Sequence, residues 1–386
     1  MKNKLILFAL LTLSFASFSQ TNNDKYKQAI KYTKKHQRVQ ARDIFNEIIK
    51  NDPNFLDAYY QRAKINAYYK KDSLALVDFN IVANKHKDNE KKAEAHLAIL
   101  DLLFKNEESC SNESKRHIEA LKTLDAESYK ASFYEGRCKL HSGNPQEAVN
   151  DLTKAYNLND EDKMTLYYRA RAEIDIKNYT TAIEDLDKVI EAKPKFGDSY
   201  FWRAYAYYEQ AIQPEEKHAK KFLHLALEDL NTAIKRRVRA EEAYFDRAEV
   251  KFELQDYEGA IADFKKVLAK NNSNMDAHYQ KAICYYHYGN VTSAIQEFKK
   301  ITKKDSTYVD AFYDLAVIYY SNSKNEEALK YANQTIKLDH EHPDAYVIRG
   351  DIYIAMGETE KACLDYTKAD EFGDTEAHKD IKKYCK

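Results

Sequence analysis

Glycine and proline are scarce in this chain, at 8 and 5 of 386 residues. So few backbone breakers over that length argue for an almost wholly helical protein. They also leave few places for a strained catalytic turn. Net charge is nearly absent: charged residues make up 32% of the chain but sum to −1. Nothing in that total suggests nucleic acid or an anionic membrane as a partner. There is no CxxC pair, which argues against a redox motif or a zinc site. No nucleophile–base pair, glycine-rich phosphate loop or metal-spaced cluster appears, so no enzymatic activity, metal or cofactor is expected. His340-Glu341-His342 reads as a solvated turn before Pro343. His218 and His224 lie six apart on a helix and cannot share a face well.

What is present begins with a processing signal. Met1-Lys2-Asn3-Lys4 forms a basic start, and Leu5 to Phe18 is an apolar run of signal length, short for a bilayer span. Ser17-Phe18-Ser19 supplies small residues at cleavage spacing, so residues 1–19 are expected to be removed before Gln20. No later segment could cross a membrane. The mature chain is therefore expected in the periplasm, or secreted or associated with the envelope of a bacterium.

Ten repeated units then tile the chain: 22–55, 56–89, 90–128, 129–162, 163–196, 197–240, 241–274, 275–308, 309–342 and 343–376. Eight have 34 residues; unit three carries five more and unit six ten more. A period of this length marks a repeat architecture. The eighth position is mostly small, from Ala29 and Ala63 through Ala248 and Ala282 to Gly350. The twentieth is small throughout, from Ala41 to Ala362, with Ser114 in unit three. Two helices must cross closely there. The twenty-fourth is large in nine units, among them Phe45, Phe264, Phe298 and Tyr366, and serves as a knob. Residues 377–386 continue a short helix that caps the array. The insertion in unit six reads as a helix start at Gln213-Pro214-Glu215-Glu216, giving a long second helix to about Arg236. The insertion of unit three, Asn106 to Glu113, reads as a loop.

This register resembles the tetratricopeptide repeat family over residues 22 to about 376. The resemblance implies an all-α, right-handed superhelical solenoid of about ten helix-turn-helix repeats, with first helices lining a concave groove. It implies protein or peptide binding rather than catalysis. The chain departs from the family at position seven, where Arg62, Arg169, Arg203, Arg247, Lys281 and Arg349 replace the usual Leu. Their stems are expected to lie along the helix pair with the charge reaching out.

In the family geometry, positions 2, 5, 9, 12 and 13 face the groove. Position 5 is largely aromatic, including Tyr167, Phe201, Phe245, Tyr279 and Tyr313, and position 12 adds Tyr208, Phe252, Tyr286 and Tyr320. Aromatic anchors of this kind supply interface energy at little rotamer cost, although rings at position 5 also pack between first helices. Charge on these positions is uneven. Units one to five contribute Lys34, Lys64, Lys91, Lys130, Arg137 and Arg171 against Asp57, Glu94, Asp101 and Asp175, a net of +2. Units six to ten contribute Asp198, Glu209, Glu242, Glu249, Glu253, Asp276, Asp310, Asp344 and Asp351 with no Lys or Arg, a net of −9. The expected occupant is a basic segment of a protein partner. Arg137 and Arg171 are the one pair placed to contact a carboxylate. The competing function is glycan or cell-wall binding through the same Tyr residues. Of the five cysteines, Cys363 with Cys385 and Cys110 with Cys138 are placed to pair; Cys284 reads as buried and inert.

Overall fold

A computed structural model describes residues 21–105, 110–214 and 216–385. The expected leader, residues 1–19, lies outside them. Every regular element among the described residues is an α-helix, and none is long and apolar enough to cross a membrane. The chain divides between Ala192 and Lys193 into an N-terminal half and a C-terminal half. Each half is a succession of helix pairs. First helices begin at Leu56, Tyr129, Lys163, Gly197, Met275, Val309 and Pro343, and residues 21–34 are helical too.

Helix pairs form because the two small positions let the backbones meet. Ala63, Ala170, Ala204, Ala248, Ala282 and Ala316 are fully buried, as are Ala75, Ala182, Ala226, Ala260, Ala294 and Ala328. Gly136 shows how little space remains: a Cβ there would lie 2.6 Å from Leu152 Cγ. The large residues at position 24 are buried in all nine units that carry one.

The turn between the helices of a pair has one conformation in the eight units without an insertion. Position 15 has positive φ in His36, Lys70, Gly143, Lys177, Gln255, Gly289, Ser323 and Gly357. The next amide closes on the carbonyl five residues back, as in Asp256 N to Lys251 O at 2.8 Å and Asn290 N to Tyr285 O at 2.8 Å. This is a left-handed helix terminator. Three units use Gly there and five accept a side chain at its steric cost.

The insertions depart from expectation. In unit six the second helix begins at Ala219, not at Gln213, and runs to Lys235. The Glu216 carboxylate accepts from Gln210 Nε2 and from the His218 amide, so the preceding segment turns instead of starting the helix. In unit three residues 106–109 lie outside the described residues. The helix there starts at Asn112, with Ser111 Oγ accepting from the Ser114 amide.

Position seven corrects a second expectation: its charges do not reach into solvent. Arg62 grips Asp78, Arg169 grips Asp185, Arg203 grips Asp229, Arg247 grips Asp263 and Arg349 grips Asp365, each through Nε and a terminal nitrogen at 2.7–2.8 Å. Lys281 meets Glu297 at 3.1 Å in unit eight. The acid sits at position 23 on the second helix and is buried each time. The remaining nitrogen bonds position 25 of the preceding unit, as Arg62 does to Asn46 and Arg247 to Asn231. A planar fork suits two acceptors on separate helices, which an ammonium does not. The recurring Asp at position 23 was the readable signal.

Candidate partner-binding surface

The C-terminal half carries the aromatic and acidic face. Its position-5 rings are partly committed to the core. Phe245 packs edge-on to Phe264 at 5.3 Å, and Tyr279 to Phe298 at 5.6 Å. Tyr313 stacks on His342 at 5.2 Å. One side of each ring is covered and the residue is half-buried. Phe201 is only 5% exposed, and Tyr167 in the N-terminal half only 2%. These two are therefore core residues and not anchors: Phe201 packs against Trp202 and Tyr167 against Tyr168. Tyr208, Phe252, Tyr286 and Tyr320 at position 12 remain half-buried. Phe252 meets Tyr257 and His287 edge-on, and Tyr286 also meets His287.

Carboxylates crowd the first helix of unit seven, Ala240–Glu253. Burial, then Glu209, Glu253 and Asp276, push Glu249 up to about 7. Burial, then Glu249 and Glu242, push Asp246 up to about 7 as well. Burial and then Glu249, Glu253 and Glu209 raise the Tyr208 phenol. A cleft of about 400 Å³ opens here, lined by Glu241, Glu242, Phe245, Asp246, Asn274 and Asp276. Four carboxylates and one aromatic face share it, with no lysine or arginine in the lining. Further along, burial outweighs the Tyr279 hydroxyl and raises Asp314 to about 6. Asp246 and Asp314 occupy position 6, which sequence reasoning left out of the groove. An acid directly after the position-5 ring was the available clue.

Two acids counted toward the −9 are already engaged. Asp198 pairs with Arg239 at 3.3 Å, and Asp351 accepts from the Tyr366 hydroxyl at 2.7 Å. Arg239 comes from the turn that closes unit six, outside the five groove positions. Glu253 is exposed at the edge of the cluster.

The N-terminal half does not assemble the carboxylate contact. Arg137 is 7% exposed, with its guanidinium 4.2 Å from the Tyr168 ring centroid and 4.7 Å from that of Phe104. It donates to the Phe104 carbonyl at 3.1 Å. Cation–π packing and that bond use the charge inside the fold. Arg171 is half-buried beside Tyr167 and Tyr168. Lysines of this half pair locally, as Lys130 does with Asp162 at 3.0 Å.

Cys110 is bonded to Cys138, and Cys363 to Cys385, which ties the helix Ala377–Tyr384 to the last helix pair. Cys284 is buried, and burial pushes its thiol up to about 12. His340 is exposed, while His342 Nδ1 accepts from the Ala345 amide at 3.3 Å and so caps a helix. Among the described residues no group of three or more His, Cys, Asp or Glu side chains is placed to hold a metal.

Two family models, both described as tetratricopeptide repeat, match residues 251–318 and residues 222–274 with 313–376. The chain belongs to the tetratricopeptide repeat family. A curated relative, the Hsp70/Hsp90 co-chaperone CNS1 of Saccharomyces cerevisiae, is 26% identical over 165 residues. That match spans 38% of this chain and 43% of the co-chaperone. A tetratricopeptide repeat protein from Parabacteroides merdae is 22% identical, with a TM-score of 0.49 over 66% of this chain and 98% of that one. A monomeric IFIT1 mutant solved with m7Gppp-AAAA has a TM-score of 0.50 at 15% identity, over 89% of this chain and 80% of that one. That likeness concerns the fold alone. The family and the co-chaperone relative support a role in protein–protein interaction.

Proposed function

We propose that this tetratricopeptide repeat protein is an exported scaffold that captures a basic segment of a partner protein on the first-helix face of its C-terminal half. The observation that carries the reading is the cleft at Phe245. Asp246 and Glu249 stand beside it with pKa values near 7, because burial and neighbouring carboxylates oppose their ionisation. An arriving guanidinium or ammonium would relieve that repulsion. Phe245, Phe252 and Tyr279 would supply apolar contact to the stem of the same side chain. Export accords with the amino-terminal signal pattern and with two disulfides, which persist in oxidising compartments.

The test uses calorimetry with the full chain and two synthetic peptides, one alternating Arg or Lys with apolar residues and one with the charges reversed. The basic peptide is expected to bind, more weakly as salt rises. An Asp246→Asn, Glu249→Gln variant keeps the ring packing and is expected to lose about tenfold in affinity or more, some 1.4 kcal/mol. Equal binding of both peptides would refute the reading. Retention of a partner in the variant and at high salt would move binding elsewhere.

A further inference from the structure

The N-terminal half carries an exposed apolar patch that the first-helix face does not include. In most units positions 19 and 22 of the repeat, on the outer side of the second helix, are polar. They are Glu147 and Asn150 in unit four, Thr181 and Glu184 in unit five, Glu327 and Lys330 in unit nine. Unit two places Leu74 and Val77 there, exposed by 55% and 60%. Its second helix, Asp72–Lys85, already buries Ala75, Phe79, Val82 and Ala83 on the inner side. A helix that is apolar on both sides is ordinarily covered on both. At the end of the first helix of the same unit Tyr68, 61% exposed, and Tyr69 lie edge-on with their rings 5.2 Å apart.

The rim of this patch is cationic. The Arg38 guanidinium lies 3.9 Å over the Tyr68 ring. One turn further along the same helix Arg42 lines a cleft of about 370 Å³ together with Lys71, Leu74 and Val77. Lys34, Lys35 and Lys70 are exposed in the two adjoining turns. The two acids of the patch's own helix are engaged: Asp78 by Arg62 through two bonds, and Asp72 by Lys105 at 3.1 Å. Apolar side chains one helical turn apart, with Arg42 and Lys71 beside them and both acids of their own helix occupied, are complementary to a helix with the reverse arrangement.

We propose that this face, centred on Leu74 and Val77, docks an acidic amphipathic segment of a partner protein, independently of the acidic face in the other half. Its apolar residues would cover Leu74 and Val77 while its carboxylates meet Arg42 and Lys71. The recessed cleft favours a peptide over a lipid surface. Insertion among acyl chains requires side chains that protrude, whereas here the apolar pair forms a wall of the cleft with polar groups around it.

The experiment is a selection from a random-peptide display library on the full chain, with a Leu74→Glu, Val77→Glu variant as the counter-target. Both positions are exposed, and unchanged circular dichroism and melting would show that the variant folds. Enriched peptides are expected to combine Asp or Glu with apolar residues at helical spacing. They should bind the parent chain at least about ten times more tightly than the variant. Arg42→Ala with Lys71→Ala should weaken them and flatten their salt dependence, and Asp246→Asn with Glu249→Gln should leave them unchanged. The proposal falls if no peptide is enriched through these residues, or if the enriched peptides are basic. It also falls if the double-Glu variant abolishes only adsorption to phosphatidylserine vesicles, or only self-association of the chain.

Discussion

In unit seven the seventh and twenty-third residues are Arg247 and Asp263; in unit three they are His96 and His117. The backbone slot is the same, a contact between the two helices of one pair. In unit seven burial opposes the charge on Asp263, but Arg247, Lys251 and Lys266 outweigh it and hold the carboxyl below its usual range. In unit three the two imidazoles face each other with Nδ1 atoms 2.7 Å apart, and both are buried. Burial, then His117 and Lys92, push His96 down to about 4. Burial and then Arg116 lower His117. Glu113, 4.0 Å from His117 Nε2, is the acid facing the pair. One slot is thus held by a charge pair and the other by a neutral pair that shares a proton. The slot accepts either a charged or an uncharged pair of complementary polar groups.

The largest expected effect breaks the charged version of the slot. Arg169→Ala should cost about 3–5 kcal/mol, because Asp185 would remain buried without its fork. Urea unfolding with hydrogen exchange over residues 163–192 measures it. A loss below about 1 kcal/mol would mean that the pair is incidental.

Acid should then weaken unit three. A His whose folded pKa is depressed destabilises the fold as pH falls below its unfolded value of 6.5, until the folded value near 4 is reached. Unit three should lose about 3 kcal/mol across that window. The double substitution His96→Arg, His117→Asp installs the neighbouring pair and should abolish the loss. Exchange of the 89–124 amides at pH 7 and pH 5 reads both outcomes; a pH-independent parent would contradict the account.

The first helix of unit seven should respond in the opposite direction. Glu249 and Asp246 are raised to about 7, so the native state holds protons that the unfolded state has released. Stability there falls as pH rises from about 4.5 to 7. Glu249→Gln is expected to stabilise this helix by about 2 kcal/mol at pH 8 and to have little effect at pH 5. Melting curves at the two pH values decide it, and a destabilised variant at pH 8 would reverse the sign. The smallest effect belongs to an exposed pair: Lys105→Ala removes the ion pair with Asp72 and should change stability by less than about 1 kcal/mol. A larger loss would erase the contrast between slot and surface.

The helical class, the repeat register and the closely crossing positions were legible because they depend on spacing and size. Small residues eight and twenty positions into each unit, and knobs at twenty-four, follow from how near two helices must lie, and that demand recurs every 34 residues. Charge on individual groove positions was legible as well. Other features depend on which atoms meet across helices far apart in sequence. Pairing of position seven with twenty-three turned an expected solvent-reaching Arg into a clamp. Arg137 became the centre of an aromatic box, and Tyr167 and Phe201 became core. Position 15 adopts positive φ even with Lys177 and Gln255, since closure of the turn outweighs a local steric preference. The pattern by itself determined where the helices lie and which sides are small. Only tertiary structure decided which charges remain at the surface, because desolvation and hydrogen bonding depend on neighbours that a one-dimensional spacing does not name.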